Sequence, residues 1–349
     1  MSYLRKCVSD VGGYVPGEQP VGGGYVRLNT NENPYPPSPR VIEALQTAVG
    51  PAITRYPQPT ADRLRDKIAQ VYGFAQEQII VTNGMDELLG LLVRTFVEPD
   101  GTVLLTNPTY VLYETIVRLY GASTVSHELE ADLSLPESIF NTADGRLMFL
   151  SRPNSPTGNM FDKERLAKLA SGFDGVVAVD EAYVDFAEDN CLDLARENEN
   201  VIVMRTFSKS FSLAGLRIGF GVANREIVAG LMKVKDSYNV NVLNQAAAIA
   251  ALDDYEYMVE CAGKVKRTRD RLTAELVSLG FDVPPSQANF VLATPDKYPL
   301  AARDVYLRLK ERKILVRFLD VRGLDNSVRI TVGTDEETDQ LLAALKDLS

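Results

Sequence analysis

The sequence predicts an α/β fold, a mainly parallel sheet covered by helices, followed by a second module of α+β type. Three observations predict it. Short apolar runs without polar alternation, such as VVAVD at 176–180, read as strands buried on both faces. Segments of helical periodicity separate these runs, the alternation that a sheet with crossover helices requires. From Ala246 onward that alternation gives way to a long charged helical stretch and a few short apolar segments.

The first 40 residues are rich in Gly and Pro, among them Gly22, Gly23, Gly24, Pro34, Pro36 and Pro37, which suits an extended arm able to lie over a site or a neighbouring subunit. Asp62–Tyr72 is helical in pattern and Gln78–Thr82 reads as a strand. The turn Asn83-Gly84 then opens a helix with Met85, Leu88, Leu89, Leu92 and Phe96 on one face. Strands follow at Thr102–Thr106, Leu147–Ser151, Gly175–Asp180, Val201–Phe207 and Ile218–Ala223, with helices at Tyr110–Tyr120 and Asp162–Ala170. In the second module the pattern gives a helical stretch over Asp253–Leu279, apolar segments at Asn289–Ala293, Ile314–Phe318 and Ser327–Val332, and a helix at Ala301–Lys310. In such sheets ligands sit beyond the carboxyl ends of the strands, so those ends should carry the chemistry.

Composition removes several function classes. A chain of 349 residues suggests two domains, at about 150 residues each. The formal charge of −10, without a dense Lys/Arg run, argues against nucleic acid. The longest apolar stretch, near Ala246–Leu252, is far short of the roughly 18 residues a membrane span needs, and the N-terminus carries no apolar signal core. A cytoplasmic protein is expected. Cys7, Cys191 and Cys261 are odd in number and widely spaced, a poor basis for disulfides or zinc. His127 is the only histidine and lies in an alternating, edge-strand-like segment, so no metal site is expected and the proton carrier of any enzyme here should be another residue.

Four residue types meet at the strand ends. Asp180 closes a buried run, Lys209 follows the next strand, Asn154 lies between two prolines in SRPNSPTG, and Tyr183 follows Asp180 closely. Together they suit a pyridoxal 5'-phosphate imine. The lysine amine condenses with the cofactor aldehyde and then shuttles the substrate proton. The carboxylate keeps the pyridine nitrogen protonated, so the ring accepts the carbanion's electron pair. The amide and the phenol hydrogen-bond to the ring hydroxyl. The phosphate needs donors, and the turn at Asn83–Asp86 offers helix N-terminal N–H groups, with Thr206, Ser208 and Arg217 able to complete the cradle.

Eight motifs carry a resemblance over nearly the whole chain: LNTNENPYPPSP, RYPQP, TNGMDE, NPTYVLYE, SRPNSPTG, VVAVDEAY, RTFSKSFSLAGLRIGF and RITVGT. In this order they resemble the fold-type I pyridoxal phosphate-dependent aminotransferases, and within them the histidinol-phosphate aminotransferase family. The resemblance implies a seven-stranded, mainly parallel sheet in a large domain at 31–245, a smaller α+β domain at 246–349 and an N-terminal arm at 1–30. It implies Lys209 as the imine-forming lysine, Asp180 at the pyridine nitrogen, Asn154 and Tyr183 at the ring hydroxyl, and Tyr110 stacked on the ring. The phosphate ligands it implies are Met85 and Asp86 through their backbone, Thr206, Ser208, Arg217, and Tyr56 from the second subunit of a homodimer. For the substrate it implies Arg329 at the carboxylate of glutamate, Arg317 at the phosphate, with Arg322 a competitor, and Tyr14 closing over the site. The reaction implied is ping-pong transamination between histidinol phosphate and 2-oxoglutarate. Aromatic amino-acid aminotransferases and threonine-phosphate decarboxylases share the framework. Departures are small: Ser155 stands where a second asparagine is common, and Ser210 and Ser212 replace smaller residues.

Overall fold

A computed structural model describes residues 3–13, 17–142, 144–321 and 323–349 of the chain. Its N-terminal part holds a short helix α1 (Lys6–Ser9), a strand β1 (Val26–Arg27), and helices α2 (Pro39–Ala48) and α3 (Asp62–Tyr72). Then come β2 (Ile79–Thr82), α4 (Met85–Phe96), β3 (Thr102–Asn107), α5 (Leu112–Leu119), β4 (Ser123–Glu128), β5 (Leu147–Ser151), α6 (Lys163–Gly172) and β6 (Val176–Asp180). The short α7 (Leu194–Glu197), β7 (Val201–Thr206), β8 (Gly219–Val222) and α8 (Arg225–Val234) complete this part. The sheet runs β2-β8-β7-β6-β5-β3-β4; its seven strands are parallel except at β8, which lies antiparallel to both β2 and β7.

Period-two geometry explains the unalternated runs. Val177, Val179, Val201 and Val203 enter the core on one face of the sheet, and Val176, Ala178, Ile202 and Met204 enter the core on the other. Both faces are apolar because helices cover both. At the sheet edge β4 has no buried residue, and the His127 ring bonds to the Ser138 and Thr142 hydroxyls at 3.1 Å each.

The remainder holds α9 (Val242–Asp253), α10 (Tyr255–Leu279), β9 (Phe281–Asp282), β10 (Phe290–Pro295), α11 (Ala302–Glu311), β11 (Ile314–Leu315), β12 (Arg317–Leu319), β13 (Ser327–Thr331) and α12 (Asp335–Lys346). Strands β12-β13-β10-β9 form an antiparallel sheet. The single apolar segment expected at Ile314–Phe318 is two strands: β11 pairs in parallel with β1 of the arm, and after Val316 the chain changes sheet to pair with β13. The arm is therefore stitched to the C-terminal part, with Leu28 N–H donating to Leu315 O (2.8 Å) and Thr331 N–H to Leu28 O (2.9 Å). Two helices interrupt the expected layout. Helix α2 rises inside the Pro-rich region because Pro39 occupies its first turn and Ser38 caps it by accepting from Arg40 N–H at 3.1 Å. Helix α9 packs on α2 and α3, so the expected domain limit at 245/246 falls within one helix.

Candidate active site

At the carboxyl ends of β6 and β7 the sheet opens into a cavity of about 270 Å³, walled by Asp180, Tyr183, Thr206, Ser208, Lys209 and Arg217 together with residues of the arm and of β12 and β13. Asp180 is almost fully buried, at 3% exposure. Its Oδ1 accepts from Ala182 N–H (2.9 Å) and its Oδ2 from the Tyr113 hydroxyl (2.5 Å). Burial pushes its carboxyl up from 3.8 to about 6, against the pull of those two donors. Tyr113 is itself buried, stacked on Phe149 with ring centroids 5.0 Å apart, and burial holds its phenol well above 10, so it remains a donor. Behind Asp180, the Glu181 carboxylate accepts from Arg205 Nε (2.9 Å) and Nη2 (2.7 Å), a buried pair that leaves no uncompensated charge beneath the site.

Lys209 is half-buried; its Nζ donates to Thr30 O at 3.4 Å and lies 5.5 Å from the centre of the Tyr183 ring. The loop that carries it is held by Asn33, whose Nδ2 donates to Lys209 O (3.2 Å) and Ser210 O (3.0 Å), and by a bond from the Ser210 hydroxyl to Asp185. Tyr110 is half-buried in the cavity wall, edge-on to Tyr113 at 5.5 Å.

The anion cradle forms where β2 turns into α4. Gly84 has φ +79, and a Cβ there would lie 2.9 Å from Arg217 Nη2, so only glycine lets the guanidinium approach the helix N-terminus. Arg217, itself left-handed at φ +50, places Nη2 2.9 Å from Asp86 Oδ2 and donates from Nη1 to Ser208 Oγ at 3.4 Å. Thr206 Oγ1 accepts from Ser208 N–H at 3.1 Å. Met85 begins the helix, so its N–H and those following face the cradle with the favourable end of the dipole.

Two arginines close the other side. Arg317 on β12 and Arg329 on β13 are directly paired across the strands, and both line the cavity. Arg329 Nη2 donates to Asn29 O at 3.3 Å, and its guanidinium lies 5.2 Å from the centre of the Phe290 ring. A cradle of N–H groups and one arginine, a lysine amine, a buried carboxylate and a phenol form a donor set that fits pyridoxal 5'-phosphate. Among the described residues no group of three or more His, Cys, Asp or Glu is arranged to hold a metal ion.

The family model "Aminotransferase class I and II" matches residues 24–345. The chain belongs to the class I and II aminotransferases. Histidinol-phosphate aminotransferase 1 of Trichormus variabilis is 45% identical over 348 residues, covering 99% of either chain. Histidinol-phosphate aminotransferase of Citrifermentans bemidjiense is 45% identical over 352 residues, 100% of this chain and 99% of that one. Among solved structures, the histidinol-phosphate aminotransferase of Sinorhizobium meliloti in complex with pyridoxal-5'-phosphate superposes with a TM-score of 0.89 at 26% identity, over 100% of this chain and 99% of that one.

Within this class I and II aminotransferase, most of the residues expected from sequence meet in one cavity: Met85, Asp86, Tyr110, Asp180, Tyr183, Thr206, Ser208, Lys209, Arg217, Arg317 and Arg329 all line it. Asn154 is fully buried and is not among the residues that line it. Its Nδ2 donates to Thr157 Oγ1 (2.7 Å) within its own loop and to Pro108 O (3.0 Å) in the loop after β3, and the next residue, Ser155, lines the wall. Tyr56 is 81% exposed, stacked on Tyr238 at 4.6 Å, and lies outside the cavity of the single chain. Tyr14 and Arg322 lie outside the described residues. Tyr113, Asn31 and Ser155 were not singled out as site residues from sequence. Tyr113 lies three residues after Tyr110 in NPTYVLYE, and its nearness to that expected ring-stacking residue was the available signal.

Proposed function

We propose that this chain is a pyridoxal 5'-phosphate-dependent histidinol-phosphate aminotransferase, converting L-histidinol phosphate and 2-oxoglutarate to imidazole-acetol phosphate and L-glutamate, and the reverse, in histidine biosynthesis. The observation that carries this reading is the cavity itself, where Lys209, Asp180, Tyr183 and the Arg217 cradle stand opposite the paired guanidiniums of Arg317 and Arg329. Relatives with that activity at 45% identity over the full length support the substrate.

Bound here, the cofactor supplies an aldehyde that takes up an amino group and a cationic ring that accepts the electron pair of the breaking C–H bond. The N–H groups at Met85 and Asp86, the hydroxyls of Thr206 and Ser208, and Arg217 hold its phosphate. Asp180 would hold the ring nitrogen protonated, with Tyr113 and Ala182 fixing its carboxylate in one orientation. Lys209 Nζ, freed as an amine, moves the proton, a task for which no histidine lines the cavity. Tyr110 is the ring-stacking aromatic. Arg329 takes the carboxylate of glutamate, and Arg317 joins it to neutralise the phosphate of the alternate substrate; two planar forks at paired positions suit a dianion better than one. Asn154, with Tyr183, would hydrogen-bond the ring hydroxyl, and Ser155 beside it walls the cavity.

The active unit in this reading is a cytoplasmic homodimer. The exposed Tyr56, with Ile53 exposed beside it and Tyr238 stacked on it, forms the face from which the partner's phosphate would be reached. No helix among the described residues is long and apolar enough to cross a membrane.

The deciding experiment reconstitutes the purified chain with pyridoxal 5'-phosphate and follows glutamate formed from 2-oxoglutarate with histidinol phosphate or phenylalanine as donor. Preference for histidinol phosphate is expected, and loss of all turnover in Lys209→Ala. Preference for phenylalanine would overturn the substrate and leave the cofactor standing.

A further inference from the structure

Tyr183 enters the cavity with an acceptor site on its oxygen already filled. Asn31 Nδ2 donates to Tyr183 Oη at 3.0 Å, with both residues buried. Asn31 sits at φ +55, a left-handed conformation that asparagine tolerates better than most residues. Three further bonds tie it to the C-terminal sheet and its approach. Its N–H donates to Thr331 Oγ1 (2.9 Å), the Thr331 hydroxyl donates to its Oδ1 (3.1 Å), and Asn289 Nδ2 donates to its carbonyl (3.1 Å).

Donor counting gives this chain a direction. Thr331 has one hydroxyl proton, and it finds an acceptor only with the Asn31 carbonyl oxygen turned toward it. That orientation puts the Asn31 amino group on Tyr183. The phenol oxygen therefore accepts on the Asn31 side, and its own single proton is left for the cavity that Tyr183 lines. Lys209, 5.5 Å from the ring centre, and Asp180 and Arg329 in the same wall are the charged groups nearby; Phe290 meets the Tyr183 ring edge-on at 5.0 Å.

We propose that Asn31, locked by Thr331, is a positioning residue that turns the Tyr183 proton into the cavity as a fixed donor to the cofactor's ring hydroxyl. The proposal rests on the cofactor reading above. It also puts the relay and the substrate-holding Arg329 on one strand, since Thr331 lies two residues beyond Arg329 and on the same face of β13.

The readout is the visible absorbance of the cofactor joined to Lys209, whose pH midpoint reports how tightly the nitrogen of that linkage holds its proton. A donor at the ring hydroxyl lowers that midpoint. Asn31→Gly keeps the left-handed backbone and removes the donor, so the midpoint should rise by about one unit, approaching the rise in Tyr183→Phe. In the Tyr183→Phe background the same substitution should shift nothing. An unchanged midpoint in Asn31→Gly, or equal shifts in both backgrounds, overturns the relay. If Asn31→Gly does not fold, Thr331→Val keeps the side-chain shape and should move the midpoint in the same direction, and no movement there overturns the relay as well. A wild-type protein that stays colourless with pyridoxal 5'-phosphate would instead refute the cofactor reading.

Discussion

Replacing Tyr113 by Phe removes one hydroxyl and leaves the ring stacked on Phe149, so the fold is retained while Asp180 loses its shortest donor. A buried hydrogen bond to a carboxylate is worth about 1.5–3 kcal/mol, which corresponds to about one to two pKa units. Asp180, already pushed up to about 6 by burial, should then titrate between about 7 and 8 in the cofactor-free protein. At pH 7 the ionised fraction falls from about nine-tenths to half or less, and affinity for pyridoxal 5'-phosphate falls by roughly twofold to tenfold. The deficit should close as the pH is raised past the new midpoint. Carboxyl carbon NMR gives the midpoint, and absorbance titration at several pH values gives the affinity. An unchanged Asp180 midpoint, or an affinity loss independent of pH, would refute the reasoning.

The same carboxyl sets a stability window. Because Asp180 titrates near 6 in the folded protein against 3.8 ordinarily, the folded state holds the extra proton between those values, and stability should fall by about 3 kcal/mol as pH rises from about 4 to 6, then level off. Denaturant titration of the cofactor-free protein should show this fall, and Asp180→Asn should flatten it. Gly84→Ala forces a Cβ against Arg217 at a left-handed position, so cofactor affinity should drop at least tenfold and stability by about 1–3 kcal/mol, read by absorbance titration and thermal melting. Arg317→Gln should raise KM for histidinol phosphate at least tenfold and that for glutamate much less, whereas Arg329→Gln should raise both; equal effects from Arg317→Gln on the two substrates would remove its phosphate role. Tyr56→Phe should weaken cofactor binding only if the chain dimerises, which light scattering tests directly.

Much of this molecule was legible along the chain because its determinants are local. Buried strands announced themselves as apolar runs with a helix between them, and Asp180 and Lys209 could be placed at strand ends from those runs alone. The turn at Gly84 could likewise be read, since its left-handed backbone demands a residue without a Cβ. What stayed hidden depends on contacts between distant segments. That the Asn154 amide meets Pro108, 46 positions earlier, while Ser155 lines the cavity, depends on how two separate loops pack together. Tyr113 gained its role only when α5 was laid against β6, and Asn31 only when the arm met β13, 300 positions away in the chain. The division of Ile314–Phe318 between two sheets arose because β1, from the arm, was there to pair with its first half. Periodicity and backbone chirality act within a few residues and can be read directly, whereas the direction of a hydrogen bond or the partner of a strand exists only once the folded chain has brought both groups together.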